Sequence, residues 1–297
     1  MKISIVSLVL VSIFLFACKK ENNSGGNTPP PPPPPPPPVV DTALVNFVGA
    51  TGITDAQLKM NLDSLITRAK RHGWWALCKV IYPMAGGTEA SCKYNLKDPS
   101  DADASFRLTF NGGTWTYSNA AANPGATGYA YTYFNPAVQI ADTNSCHMSI
   151  YSANDLAGGT DNADIGAYDD STGLGFYLSA RDMWPDSSGK PFAAISHSSF
   201  QGASVNGSGF FMLSKTSATT AILYRGASVE GGDSTMVIGA LPNLNLFLCN
   251  QNFTGSAEPY ANGFSQRGLS FVTIGSGISA DVEALMYADI TAFVESK

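Results

Sequence analysis

Phe106-Arg107-Leu108-Thr109-Phe110-Asn111-Gly112-Gly113-Thr114-Trp115-Thr116-Tyr117 is the stretch on which the fold class turns. Phe106, Leu108 and Phe110 alternate with Arg107 and Thr109, Asn111-Gly112-Gly113 supplies a turn, and Trp115 and Tyr117 resume the alternation. A period of two lays one face of an extended strand on a core, and the intervening turn predicts a β-hairpin. Similar short runs follow at 129–134, 148–151, 175–179, 210–213, 221–224, 236–238, 244–248 and 269–274, separated by Gly, Asn, Ser and Asp clusters. Many short strands without interleaved helices predict an all-β sandwich or barrel rather than an α/β enzyme. The segments 173–181 and 207–215 share a Gly-x-Gly-Phe-aromatic start and a basic end, and two copies are too few for a solenoid.

Two helices flank this pattern. Thr54 and Gln57 form a capping box, Ile53 and Leu58 can staple it, and Leu58, Leu62, Leu65, Ile66 and Ala69 share one face. Lys70, Arg71 and His72 then complement the C-terminal dipole before Gly73. Ser279 caps a final helix whose apolar stripe is Val282, Leu285, Met286, Ile290 and Phe293.

The N-terminus reads differently. After Met1-Lys2, residues 3–17 carry no charge and end at Leu15-Phe16-Ala17-Cys18. Fifteen residues as a helix span about 22 Å, short of the ~30 Å hydrocarbon core, so residues 1–17 read as a signal peptide rather than a membrane span. Leu-x-Ala-Cys resembles the lipobox of bacterial lipoproteins, which implies that Cys18 is lipidated and anchors the chain to a membrane. Lys19-Lys20-Glu21 resembles the surface-export signals of some Gram-negative lipoproteins, and no Asp follows the Cys. The expected location is the outer membrane or cell surface. Residues 29–38 are ten consecutive prolines, a polyproline II rod of about 31 Å, so 18–40 forms an anchored tether and 41–297 a single displayed domain.

Composition narrows the function. Charged residues are 13% of the chain against about 25% for an average soluble domain, and aromatics are 11%. The net charge is −6 and no basic cluster occurs, which argues against nucleic acid as a partner. Beyond Cys18 stand Cys78, Cys92, Cys146 and Cys249. Export permits disulfides, with Cys78–Cys92 the expected pair if any forms, and four buried thiols are the alternative.

Three stretches together carry a resemblance: Val80-Ile81-Tyr82-Pro83-Met84-Ala85-Gly86-Gly87, Lys93-Tyr94-Asn95-Leu96-Lys97-Asp98-Pro99, and 106–113. They are similar to the concanavalin A-like lectin/glucanase (laminin-G-like) domain, in the version found in phage structural proteins and bacterial surface proteins. Leu223-Tyr224-Arg225-Gly226 resembles its strand-and-turn Tyr-x-Asn-Gly, with Arg225 in place of Asn, and Phe271-Val272-Thr273-Ile274-Gly275 its closing strand. The resemblance covers about 53–295. It implies a jelly-roll β-sandwich with N- and C-terminal helices, and its motifs speak for fold rather than activity.

Glucanases of this fold carry a Glu-x-Asp-x-Glu strand because retaining hydrolysis needs two carboxylates about 5–5.5 Å apart, and no such spacing exists here. Zinc-protease, nucleophile-elbow and phosphate-loop motifs are absent too. No catalytic residue and no cofactor are assigned. Asp161, Asp164, Asp169 and Asp170 are a possible calcium cluster, with a solvated loop the preferred reading. His147 and His197 read as structural or surface residues. Sugar recognition instead needs aromatic rings beside polar groups, and Trp184 in the loop from Arg181 to Asp186 is the leading ligand-binding residue. Trp115, Tyr117 and Tyr131 stand on aromatic stripes that read first as packing and second as a binding face. The expected function is non-catalytic binding of a carbohydrate or surface glycan. A structural or adhesive module with a protein partner and a polysaccharide hydrolase or lyase are the alternatives.

Overall fold

The computed structural model describes residues 40–156, 162–183, 188–235, 239–254, 260 and 263–297. Residues 40–297 form one compact unit. The helices are α1 (Thr42–Thr51), α2 (Ala56–Arg71), α3 (Trp74–Leu77), α4 (Glu89–Cys92), α5 (Pro136–Gln139) and α6 (Ala280–Glu295). The strands are β1 (Cys78–Tyr82), β2 (Thr109–Asn111), β3 (Thr116–Tyr117), β4 (Ala122–Asn123), β5 (Tyr129–Tyr131), β6 (Cys146–Ser152), β7 (Ile165–Asp169) and β8 (Leu174–Asp182), followed by β9 (Lys190–Ser196), β10 (Ser198–Gln201), β11 (Gly209–Lys215), β12 (Ala221–Arg225), β13 (Ser228–Asp233), β14 (Phe247–Leu248), β15 (Asn252–Thr254) and β16 (Leu269–Gly275).

They make two sheets. The first has the order β13-β12-β11-β6-β16-β4-β3, with β1 also on β16. The second has the order β10-β9-β8-β7-β14-β5-β2, with β15 parallel to β7 and all other pairs antiparallel. This is a β-sandwich with helices at both ends of the chain. The two Gly-x-Gly-Phe segments became β8 and β11, central strands of opposite sheets.

Three layers result. Phe211 and Leu213 of β11, Val272 and Ile274 of β16, and Phe176, Leu178, Ala193 and Ile195 of the second sheet fill the space between the sheets. Phe210, Met212 and Phe271 point the other way, against Leu62, Leu65 and Ile66 of α2 and Met286, Ile290 and Phe293 of α6. The first sheet is therefore buried on both faces, which is why its strands read as unbroken apolar runs such as Phe210-Phe211-Met212-Leu213. The second sheet keeps one face clear of the helices, and along β8 apolar Phe176, Leu178 and Ala180 alternate with Gly175, Tyr177 and Ser179.

The helix layer closes on one carboxylate. Asp289 of α6, 3% exposed, receives Trp74 Nε1 at 2.9 Å, faces His72 Nδ1 at 2.7 Å, and lies 3.2 Å from Arg68 Nε. His72 thus joins two helices as well as ending α2.

Several expectations change. The expected hairpin at 106–117 does not form: β2 pairs with β5 in the second sheet and β3 with β4 in the first. Gly112 and Gly113, at φ 58° and 57°, carry the chain across the sandwich instead of back along it. A Cβ on Gly113 would meet Pro124 O at 2.4 Å, so the crossing admits no side chain there. α2 is capped by Asp55, whose carboxylate accepts from Leu58 N at 2.9 Å, one residue past the expected Thr54 box. Leu285 is 43% exposed, while Glu283 and Asp289 of α6 are buried. α1, capped by Asp41, was not foreseen. All four cysteines of the unit are free and buried, the second of the two expected alternatives, and Cys78 and Cys92 are not bridged. The run at 236–238 and residues 18–39, Cys18 and nearly all of its tether, lie outside the described residues.

Candidate functional site

The uncovered face of the second sheet is aromatic. Residues two apart along a strand share a face, so the pairing register fixes its rows. One row reads Thr109, Tyr131, Phe247, Gly166, Tyr177, Ala194, Ser199 across β2, β5, β14, β7, β8, β9 and β10. The next reads Phe253, Tyr168, Gly175, Ser196 across β15, β7, β8 and β9. Tyr168 stacks on Phe253 with centroids 5.4 Å apart at 17°, and Phe253 on Tyr260 at 4.7 Å and 27°. Tyr177 stacks on Phe192 at 5.7 Å and 22°.

Between these rings lies a cleft of about 300 Å3, lined by Tyr168, Tyr177, Phe253 and Tyr260 together with Asp182, Ser196, His197, Ser198, Ser199 and Gln251. That volume sits at the small end of the ~300–1,000 Å3 usual for small-molecule sites. Glycine makes room for the rings: a Cβ on Gly166 would fall 2.0 Å from Tyr177 Cβ. At the rim, Ser196 and His197 form the two-residue β9–β10 turn. Ser196 holds φ 55° and donates its hydroxyl to Gly239 O at 3.1 Å, leaving His197 exposed.

A buried ion pair sets the far end of the groove. The β8–β9 register shifts between Ser179 and Asp182, which frees backbone groups of β8 from the ladder. Asp164 accepts Ala180 N at 2.7 Å, and Arg267 NH1 donates to Arg181 O at 3.0 Å. Arg267 also binds Leu156 O at 2.8 Å, Ser179 Oγ at 3.2 Å and Asn162 Oδ1, so each terminal nitrogen makes two bonds. Both partners of the pair are completely buried. Arg267 carried no signal in the sequence, since it lies in an irregular segment before β16.

The residues expected to bind ligand are dispersed. Tyr131 lies on the groove's face, edge-on to Phe247 at 4.5 Å and three strand spacings, about 14 Å, from Tyr177. Trp115 and Tyr117 pack against the core between the sheets, both on Phe110, and Trp115 Nε1 donates to Asn111 O at 3.0 Å. Arg181 turns to Asp155 at 3.0 Å. Trp184 lies outside the described residues. Tyr168, Tyr177 and Phe253 were missed as a site. The signal available for them was the aromatic or glycine at every second position of 166–168 and 175–177.

The acidic cluster does not assemble as a calcium site among the described residues, where no three His, Cys, Asp or Glu groups stand ready for a metal. Asp164 gives both oxygens to Arg267 Nε. Asp169 accepts the hydroxyls of Ser171 at 2.7 Å and Thr254 at 2.8 Å, which hold its carboxyl down to about 2. Asp161 lies outside the described residues. His147 is buried in the first sheet, its Nδ1 donating to Ser276 O and its Nε2 accepting from Thr273 Oγ1 at 3.0 Å, and burial pushes its imidazole down to about 4. No described helix is long and apolar enough to cross a membrane.

No known family's sequence profile matches the chain. No curated protein matches it either. Among solved structures, domain 4 of AbnA, a GH43 extracellular arabinanase from Geobacillus stearothermophilus, in complex with arabinotriose, is similar over 70% of this chain and 98% of its own, at 13% identity and TM-score 0.48. The CBM40 of the Ruminococcus gnavus IT-sialidase, bound to α2,3-sialyllactose, is similar over 48% of this chain and 81% of its own, at 11% identity and TM-score 0.36. A mutant Trypanosoma rangeli sialidase displaying trans-sialidase activity is similar over 78% of this chain at 9% identity and TM-score 0.45, and there the chain spans only 39% of the other protein.

Proposed function

We propose that this chain is a surface-displayed lipoprotein whose β-sandwich, of the concanavalin A-like kind, binds carbohydrate in the aromatic groove of its second sheet without transforming it. In this reading residues 1–17 are removed, Cys18 carries lipid, 18–40 is the tether and 41–297 the binding domain. The observation that carries it is the groove itself: Tyr168, Tyr177, Phe253 and Tyr260 line one cleft on the sheet face that the helices leave uncovered, with hydroxyl, amide and carboxylate groups at its margin. Flat rings offer the apolar faces of pyranoses a stacking surface, and the polar margin accepts and donates to their hydroxyls. Asp182 is the one carboxylate among the described lining residues. A two-carboxylate hydrolysis would need a second.

A glycan array probed with the full chain tests this, repeated with Tyr177→Ala, Phe253→Ala and Trp184→Ala. Each aromatic truncation in the groove is expected to weaken binding about three- to tenfold. Absence of binding above background, or binding indifferent to both Tyr177→Ala and Phe253→Ala, refutes it.

A further inference from the structure

We infer that the chain carries a second ligand site, a cleft on the first sheet between Arg225 and Glu230, which takes a neutral sugar residue through two adjacent hydroxyls. It has no described lining residue in common with the groove of the second sheet, and it stands whether or not that groove binds glycan.

The cleft, of about 330 Å3, lies where β11 begins and where β12 turns into β13. Tyr151 of β6, Phe210 of β11 and Tyr287 of α6 supply its rings, and Tyr287 leans on Phe210 with centroids 5.8 Å apart at 38°. Ser228, Arg225 and Glu230 supply polar groups. Gly209 keeps the space between them clear, since a Cβ there would point into a volume with nothing inside 4 Å.

Glu230 is fixed from behind. Its Oε2 accepts Ala203 N and Ser204 N, both at 2.9 Å, and its side chain is 12% exposed. Its Oε1 faces Arg225 NH1 at 4.0 Å, about 1 Å beyond hydrogen-bond reach. Arg225 in turn lies over the Phe211 ring, its Cζ 5.7 Å from the centroid. Among the described residues its guanidinium donates no hydrogen bond to protein, and the hydroxyls of Tyr151 and Tyr287 have no protein partner.

So long and exposed an ion pair adds little to stability, and holding the fold together does not account for it. What it offers is a charged acceptor beside a charged donor, with no net charge between them. Two neighbouring hydroxyls of a pyranose meet both: one donates to Glu230 Oε1 while the other accepts from Arg225, each bond charge-assisted. The sugar ring then rests on Tyr151 or Tyr287. A simple anion or cation fits less well, because each would sit close to one like charge.

The test is an NMR titration of the isotope-labelled full chain with methyl glycosides of glucose, galactose, mannose and xylose, and with galacturonate as the anionic probe. The Arg225 Nε–H and Gly226 amide signals report this cleft, and the Gly173 and Ser198 amides report the groove in the same experiment. One or more neutral glycosides are expected to move the Arg225 and Gly226 signals saturably. Arg225→Met, which keeps a long side chain over Phe211, and Glu230→Gln, which keeps an oxygen for Ala203 N and Ser204 N, are each expected to weaken the Gly226 response about tenfold or more. Phe253→Ala is expected to leave it in place. No neutral glycoside moving the Arg225 and Gly226 signals overturns the site. Galacturonate binding there more tightly than every neutral probe overturns the class of ligand. A Gly226 response lost with Phe253→Ala but indifferent to Arg225→Met and Glu230→Gln overturns this inference and leaves the groove standing. Arg225 and Gly226 responding while Gly173 and Ser198 stay still supports this site and counts against the groove.

Discussion

Arg267 Nε lies 2.9 Å and 3.1 Å from the two carboxylate oxygens of Asp164, with both side chains fully out of water. The pair does more than neutralise itself, because its remaining bonds satisfy backbone groups of β8 where that strand leaves its register beside the groove. Removing one member strands a buried charge and breaks the support of the bulge at once. Arg267→Met is expected to destabilise the fold by about 3–5 kcal/mol, and the double variant Arg267→Met/Asp164→Leu by clearly less. Urea denaturation of the three proteins decides this, and a double variant no more stable than the single one would contradict it.

The groove depends on one missing side chain. Gly166→Ala puts a Cβ 2.0 Å from Tyr177 Cβ, so Tyr177 must move off its place above β7. A loss of about 1–3 kcal/mol in stability is expected from the overpacking, together with weaker glycan binding. Thermal unfolding and the same titration read both effects, and unchanged binding would remove Tyr177 from the site.

Trp115 separates packing from recognition. It rests on Phe110 against the core and bonds Asn111 O, away from the groove's lining. Trp115→Ala is expected to cost about 2–3 kcal/mol, below the ~3–5 of a fully buried ring, and to leave glycan affinity within twofold. A selective loss of affinity at unchanged stability would reinstate it as a ligand residue.

Two buried groups give opposed pH dependences. His147 is held neutral with a folded value of about 4. Above about pH 6.5 it is neutral in both states, whereas below that the unfolded chain takes up a proton the folded chain excludes. Stability should therefore fall by about 2 kcal/mol from about pH 7 to about pH 5, and His147→Asn should flatten that slope. Glu283 behaves in reverse, since burial raises its carboxyl from 4.5 to about 7. The folded state keeps its proton where the unfolded state has lost it, so stability declines as pH rises from 4.5 through 7. Glu283→Gln should gain roughly 2 kcal/mol at about pH 8 and little at about pH 4. Urea midpoints across the pH range check both signs.

The thiols should be silent in the native protein. Cys78, Cys92, Cys146 and Cys249 are buried and free, and burial pushes Cys78 and Cys146 up to about 12 and Cys92 to about 11. An aromatic disulfide reagent is expected to label none of the four before denaturation and all of them after it, with no change in Tm on adding reductant. Protection of any pair from labelling in denaturant would demonstrate a bridge.

By itself the sequence determined the parts whose cause is local. Short apolar runs bounded by turn residues marked most of the longer strands, unbroken where both faces are buried, and the period of α2 marked its buried face, because both patterns follow from backbone geometry within a few residues. Aspartate at 55 could be mistaken for threonine at 54 as a cap, since both precede the same helix and only geometry selects between them. Which sheet a strand joins was not legible: β2 and β3 are joined by Asn-Gly-Gly in the manner of a hairpin, yet the positive φ of two successive glycines sends them to opposite sheets. The groove was illegible for the same reason. Tyr168, Tyr177 and Phe253 come from three strands, and Asp164 meets Arg267 across 103 residues. Their meeting is fixed by long-range register and by the helices covering the other sheet, which no short window of residues contains.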